Sequence, residues 1–193
     1  MPSYGALNRG GAHALSLSQS VLGVHAEPLE DYLQTVFHFL TTAGSDPGTP
    51  DLTGAPTLDR VRKPIRVIRL ETACWPGTTD ATRAAFEDYL RLLSDQRVEI
   101  VDRSSNSGFE ALEQAIKCIP ELSPGLLGFE AKWPMADYET SSPGVLGEKM
   151  QRMLKSGREV SIEQYRELLN IRAEIRASQE ALCGRADAFV LLC

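Results

Sequence analysis

Between Ile65 and Val101 the chain sets out a strand, a helix and a second strand in succession, and no other feature constrains the fold as much. Ile65 to Leu70 is short and apolar at Ile65, Val67 and Ile68, as a strand is. A turn follows at Trp75-Pro76-Gly77. Asp80 to Ser94 then reads as a helix, with Thr79 or Asp80 at the capping position and Phe86, Tyr89, Leu90 and Leu93 facing inward. Val98 to Val101 is the second strand. A βαβ unit of this kind brings its strands parallel through a right-handed crossover. The fold class that follows is α/β, a sheet with covering helices.

The other segments add helices around this unit. Pro28 to Ala43 is predicted helical. Leu29, Tyr32, Leu33, Val36, Phe37 and Leu40 share one face, Pro28 suits the first position, Glu30 and Asp31 meet the positive end of the helix dipole, and Gly44 is the stop. Upstream, Tyr4 to Asp31 reads as strand, tight loop at Gly10-Gly11, short strand over Val21 to Val24, and helix entry. Pro47, Gly48, Pro50, Gly54, Pro56 and Pro64 make residues 45–64 a connector without regular structure. Ser107 to Ile119 is predicted helical and ended by Pro120. From Glu121 to Pro143, the prolines at 124, 134 and 143 limit any helix to short pieces. Gly144 to Ser156 is a short helix bearing Val145, Leu146, Met150, Met153 and Leu154. Ser161 to Leu182 is the longest helix, opened by a capping box of Ser161 and Gln164, with Arg176 and Glu180 placed to pair outside. Asp187 to Leu192 begins a further strand.

At 193 residues the chain suffices for one core, so one domain or part of one is expected. A net charge of −6 argues against nucleic acid or an anionic membrane as partner. No apolar run reaches the length of a membrane span, and the N-terminus lacks the basic-then-apolar pattern of a signal peptide. Cys74, Cys118, Cys183 and Cys193 are widely scattered and fit reduced thiols, so a cytoplasmic location is expected.

The first thirty residues resemble a known family. Their order, P-S-Y-G, R-G-G, S-Q-S-V-L-G and P-L-E-D, is similar to the segment downstream of the nucleophile in the amidase signature family. That family runs K-P-T-x-G, R-x-G, S-x-D-x-x-G, then a short strand and a helix opening with Glu-Asp. Pro2, Ser3 and Gly5 match the first part, Arg9 and Gly11 the second, Ser18 and Gly23 the third, and Glu30 and Asp31 the last. Ser20 stands where the family has Asp. Met1 stands where it has Lys, so the chain is expected to start where a longer one was cut. The resemblance extends in layout through the final A-D-A-F-V-L-L strand. It implies part of the amidase signature fold, a mixed sheet with covering helices, over residues 1–193 as one partial domain.

The resemblance implies a reaction whose groups lie before this segment. The family cleaves carboxamides with a Ser nucleophile, a relay Ser and a neutral Lys base, and binds the oxyanion with backbone amides. The Gly-Gly-Ser-Ser run and the upstream Lys are not in this chain. Ser104-Ser105 and Ser141-Ser142 lack flanking glycines and read as turn or capping serines. Lys63, Lys117, Lys132, Lys149 and Lys155 read as solvent lysines. His13, His25 and His38 have no metal-ligand spacing. Glu30-Asp31 and Glu87-Asp88 are helix neighbours that cannot face each other as an acid/base couple. Trp75 and Trp133 read as packing residues rather than pocket walls. No catalytic, cofactor-binding or metal residue is therefore assigned.

Two readings lead, ahead of a third and weaker one, an unrelated α/β binding domain, which predicts a complete sheet with capped edges. The first is a fragment of an amidase signature hydrolase, inactive alone, whose partner is the remainder of the domain and whose parent acts on a small amide. The second is a non-catalytic remnant or interaction subunit of an amidase- or amidotransferase-like assembly, with a protein partner. In either, Phe189, Val190, Leu191 and Leu192 are expected to lack neighbours at a cost of roughly 1.5–3 kcal/mol each, which makes the isolated chain marginal.

Overall fold

A computed structural model describes residues 4–13, 15–49 and 63–192. In chain order its elements are α1 (Leu29–Ala43), β1 (Arg66–Arg69), α2 (Asp80–Asp95), β2 (Glu99–Val101), α3 (Ser107–Ile116), α4 (Ile119–Ser141), α5 (Glu148–Glu159), α6 (Ile162–Cys183) and β3 (Ala188–Val190). The chain divides into two compact units, Met1–Val61 with Leu126–Val160, and Arg62–Gly125 with Ser161–Cys193.

The second unit is α/β. Its three strands are ordered β2-β1-β3 and all run parallel. Val67 pairs with Ile100 on one side and with Ala188 on the other. Alternation sends Val67 and Ile68 to opposite faces, and both are buried, as a central parallel strand requires. The strand-helix-strand pattern of residues 65–101 is thus present as β1-α2-β2. Thr79 caps α2 through the Thr82 N–H at 3.2 Å, and Phe86 and Leu90 are its buried residues. Tyr89 is half exposed rather than inward. Beneath the sheet, Ile68 and Leu70 pack with Phe109 and Leu112 of α3 and Leu182 of α6. Ser161 and Gln164 form the predicted reciprocal box, at 3.2 Å and 2.8 Å, and Arg176 pairs with Glu180 at 2.8 Å. Phe189 packs against this core, and of the last four apolar residues only Leu191 is exposed.

Asp187 joins the entries of β1 and β3. Its carboxylate accepts the N–H groups of Ile65 at 2.7 Å and Arg66 at 2.9 Å. These bonds, the one from Arg66 first, hold the carboxyl below its ordinary range. A depressed carboxyl contributes stability that is present above its unfolded value, about pH 4, and is lost as pH falls through the folded value. Asp187→Asn is expected to lower the melting temperature at neutral pH and to flatten its acid limb. Melts across pH check this, and curves that stay parallel at every pH would contradict it.

The first unit is a helical layer with a loop laced onto it. Ala131 and Met135 of α4 and Leu154 of α5 form its core, with Leu15, Leu146, Met150 and Met153 packed around them. The α1 helix carries its apolar residues on one side as predicted, yet none is fully buried. Pro28 is its N-cap rather than its first residue, after a cis peptide bond from Glu27.

Several expectations are corrected. Residues 4–7 and 21–24 form turns and extended loop, not strands. A strand needs a ladder partner, and among the described residues neither segment pairs with a strand; the chain is tied instead through Asn8 N–H to Gly44 O at 3.0 Å and Asp46 N–H to Gly5 O at 3.0 Å. The sheet has three parallel strands among the described residues, where a mixed sheet was implied. Residues 119–141 form one helix despite Pro120, Pro124 and Pro134. Pro120 sits at the second position, where a missing N–H costs nothing. Each interior proline removes one bond, at about 3 kcal/mol, against the burial of Leu122, Leu126, Phe129, Ala131 and Met135 along the same helix. The break before it falls at Lys117 and Cys118, so α3 ends sooner than predicted. The short helix after it is shifted to Glu148–Glu159. Of the connector, residues 50–62 lie outside the described residues, as do Pro2, Ser3 and Cys193.

Candidate functional site

Of the residues that carry the family resemblance, Arg9 and Ser18 anchor the N-terminal loop in the first unit at two points, Asp46 and Glu130. Gly5 sits at φ +72° with its Cα face against Thr49, and Gly11 at φ +82°, conformations that favour glycine. Arg9 lies between them. Its Nε donates to Asp46 Oδ2 at 2.5 Å, its backbone N–H to Asp46 Oδ1 at 2.8 Å, and its terminal nitrogens to the carbonyls of Leu17 and Ser20 and to the Tyr4 hydroxyl. The guanidinium also stacks over the Tyr4 ring at 4.4 Å. Backbone donation from Arg9 draws the Asp46 carboxyl below its usual range. Asn8 closes the loop onto the end of α1, giving its amide to Ala43 O at 3.0 Å. Ser18 binds the carboxylate of Glu130 through both its N–H, at 2.8 Å, and its hydroxyl, and Ser16 Oγ donates to the same carboxylate at 2.6 Å. Ser20, in the position of the family's Asp, accepts the Ser16 N–H at 3.1 Å. Gly23 has open space around it. Glu30 and Asp31 are exposed in the first turn of α1. This node fixes a loop.

The C-terminal ends of the strands in the second unit carry two further features. One is a charged network. Arg69 reaches Glu71 at 3.0 Å and Glu87 at 2.9 Å, and Arg103 pairs with Glu71 and lies 3.1 Å from Glu113 Oε2. Glu113 is buried and accepts the Glu71 N–H at 2.7 Å. Burial pushes its carboxyl upward, against the pull of Arg103 and Arg69. Asp102 is held below its ordinary range, chiefly by the Ser104 hydroxyl. The other is an apolar cavity of ≈ 300 Å³, with Leu70, Leu112, Ile116 and Phe189 among its walls and Thr72, Cys74 and Gln179 as its polar residues. Crevices outside the carboxyl ends of parallel strands are where open α/β sheets bind ligands.

The other residues weighed in the sequence occupy bland positions. Ser104 and Ser105 close an Asp102 turn, and Ser141 bonds back to Asp137 O. His13 meets the Tyr138 ring edge-on. Glu87 and Asp88 point to different arginines, Arg69 and Arg91. Trp75 stacks on Phe86. Lys132 is not a free solvent lysine: its ammonium lies 3.6 Å from the Phe129 ring centroid and 4.5 Å from that of Trp133, and burial lowers its pKa. Gly44 ends α1, its N–H donating to Leu40 O at 2.9 Å. Cys74, Cys118 and Cys183 are free thiols. No group of three His, Cys, Asp or Glu among the described residues could hold a metal ion, and no helix among them is long and apolar enough to cross a membrane.

Glu113 and Glu130 went unassigned in the sequence, although a signal was present. Phe109, Leu112, Glu113 and Ile116 share helical spacing, as do Leu126, Phe129, Glu130 and Trp133. A carboxylate on such a stripe must find donors when the face is buried. Asp46 had no comparable mark. Comparisons with protein-family models, with curated proteins and with solved structures find no match.

Proposed function

We propose that this chain is a portion of an amidase signature family hydrolase, a class that cleaves carboxamide C–N bonds, and that it is inactive by itself. The observation that carries this reading is the Arg9 node. Gly5 and Gly11, through which the sequence resembles that family, hold positive φ on either side of Arg9, and Arg9 and Ser18, which share in the resemblance, tie the same loop to Asp46 and Glu130. Inactivity follows from the missing Ser-Ser-Lys machinery. In this reading the α/β unit is part of the family's mixed sheet, the parent acts on a small amide in the cytoplasm, and the remainder of the domain is the partner.

The test begins with the coding DNA on both sides of this reading frame. An in-frame Lys and Gly-Gly-Ser-Ser upstream are expected. The extended chain should then hydrolyse simple aryl amides, and residues 1–193 alone should not. Turnover by the purified 193-residue chain, surviving removal of contaminants, would overturn the proposal.

One observation favours an interaction subunit instead. The α1 helix has a continuous apolar side with no buried residue, and Leu29 and Phe39 are exposed. Co-purification of a stoichiometric protein partner, with no catalytic motif upstream, would select this second reading.

A further inference from the structure

We infer that the cavity at the carboxyl ends of β1 and β3 is a binding site for a small, uncharged aromatic molecule bearing one hydrogen-bonding group. This inference stands on the cavity and not on the amidase reading. The volume, ≈ 300 Å³, lies at the lower end of the range for ligand pockets. Among the described residues no charged side chain lines it, so a charged ligand would lose its hydration without a side-chain partner there. Leu70, Leu112 and Ile116 supply aliphatic walls, and Phe189 offers a ring for stacking.

Orientation comes from its polar residues. Thr72 Oγ1 donates to Leu192 O at 3.0 Å, which leaves its lone pairs to accept. The Gln179 amide makes no hydrogen bond within the described residues and has both a donor and an acceptor to give. One hydroxyl, amine or amide on the ligand therefore finds a partner, while its ring displaces water from the apolar walls. Cys74, also in the lining and exposed, reports occupancy without taking part.

The probe is N-phenyl-1-naphthylamine, uncharged, aromatic and with a single N–H, added to the full 193-residue chain. Saturable fluorescence enhancement at one probe per chain is expected. At saturation, N-ethylmaleimide should label Cys74 much more slowly while Cys183, on α6 and outside the cavity, labels at its original rate. Ile116→Trp fills the cavity from a half-buried wall position, and Leu191→Trp fills it from an exposed one. Each is expected to weaken the probe at least about tenfold, equivalent to about 1.4 kcal/mol. Circular dichroism confirms the fold, and the exposed position covers the case where the first variant misfolds. Three results would overturn the site: no enhancement, a signal that never saturates (as from an apolar surface open to any molecule or awaiting a polypeptide), or saturable binding that neither variant weakens and that leaves Cys74 labelling unchanged.

Discussion

Gly157→Ala is expected to unfold the first unit or to cost it about 3 kcal/mol, the upper end of what overpacking does. A Cβ at this position would lie 2.0 Å from the carbonyl oxygen of Gly128 and 2.8 Å from its Cα. Both obstacles are backbone, so no rotamer change relieves them. The two glycines let α4 and α5 approach closely enough for Leu154 to be wholly buried beside Ala131 and Met135. Separating the helices would open that core as well as strain the contact. Against a net stability of about 5–15 kcal/mol the loss is large. A graded series makes the expectation specific. Gly128→Ala meets Met153 O at 3.0 Å and Gly157 Cα at 3.1 Å, and should be the milder of the pair. Gly125→Ala meets only the tip of Leu168 at 2.9 Å. That side chain can rotate, and alanine gains up to about 1 kcal/mol of helix propensity over glycine, so this change should be neutral or stabilising. Urea denaturation of the three variants checks the order. Equal midpoints for Gly157→Ala and Gly125→Ala would show that the close crossing does not hold the unit together.

The pattern of successes and failures in the sequence has a physical cause. The βαβ unit was legible because its signals are local: period-two strands, a capped helix with a 3.6-residue stripe, and turn residues between them. The capping box at Ser161 is local too. The Gly128–Gly157 crossing was not legible, because it depends on two positions 29 residues apart whose only mark is the lack of a side chain. The α4 helix was misjudged for a related reason. Proline weighs heavily in a local reading, and the burial that outweighs it becomes visible only when α4 is seen packed against its neighbours. The N-terminal loop failed in the opposite direction. Its apolar run Val21 to Val24 suggested a strand, but its shape is set by distant polar anchors, Asp46 and Glu130, which no spacing rule connects to it. The apolar cavity likewise joins residues from the segment after β1, from the helices α3, α4 and α6, and from β3 and the residues after it, which only the fold assembles.

Glu130 is the anchor whose removal should be felt most strongly after the glycine crossing. Its carboxylate is buried, and Ser16 Oγ, Ser18 N–H and Ser18 Oγ all point at it. Glu130→Ala would leave a buried serine hydroxyl and a backbone N–H without their acceptor, at roughly 1–3 kcal/mol for each group, so a loss of about 3 kcal/mol is expected. Glu130→Gln should rescue part of it, since the amide oxygen can still accept from the Ser16 hydroxyl and the Ser18 N–H while the amide nitrogen donates to the Ser18 hydroxyl, which turns to accept; what is lost is the charge assistance. Ser16→Ala removes a single charge-assisted bond and should cost about 2 kcal/mol. Because the two residues share one network, the double variant should be less destabilised than the sum of the single changes, and the double-mutant cycle measures that difference. Hydrogen exchange supplies the spatial check. Amides of residues 16–20 should lose protection in each variant, while α6, in the other unit, keeps its own. Additive losses, or exchange that rises equally across both units, would mean that the carboxylate does not anchor this loop. The Arg9 node would then have to hold it alone, and Ser18 would lose its part in the support offered for the amidase reading.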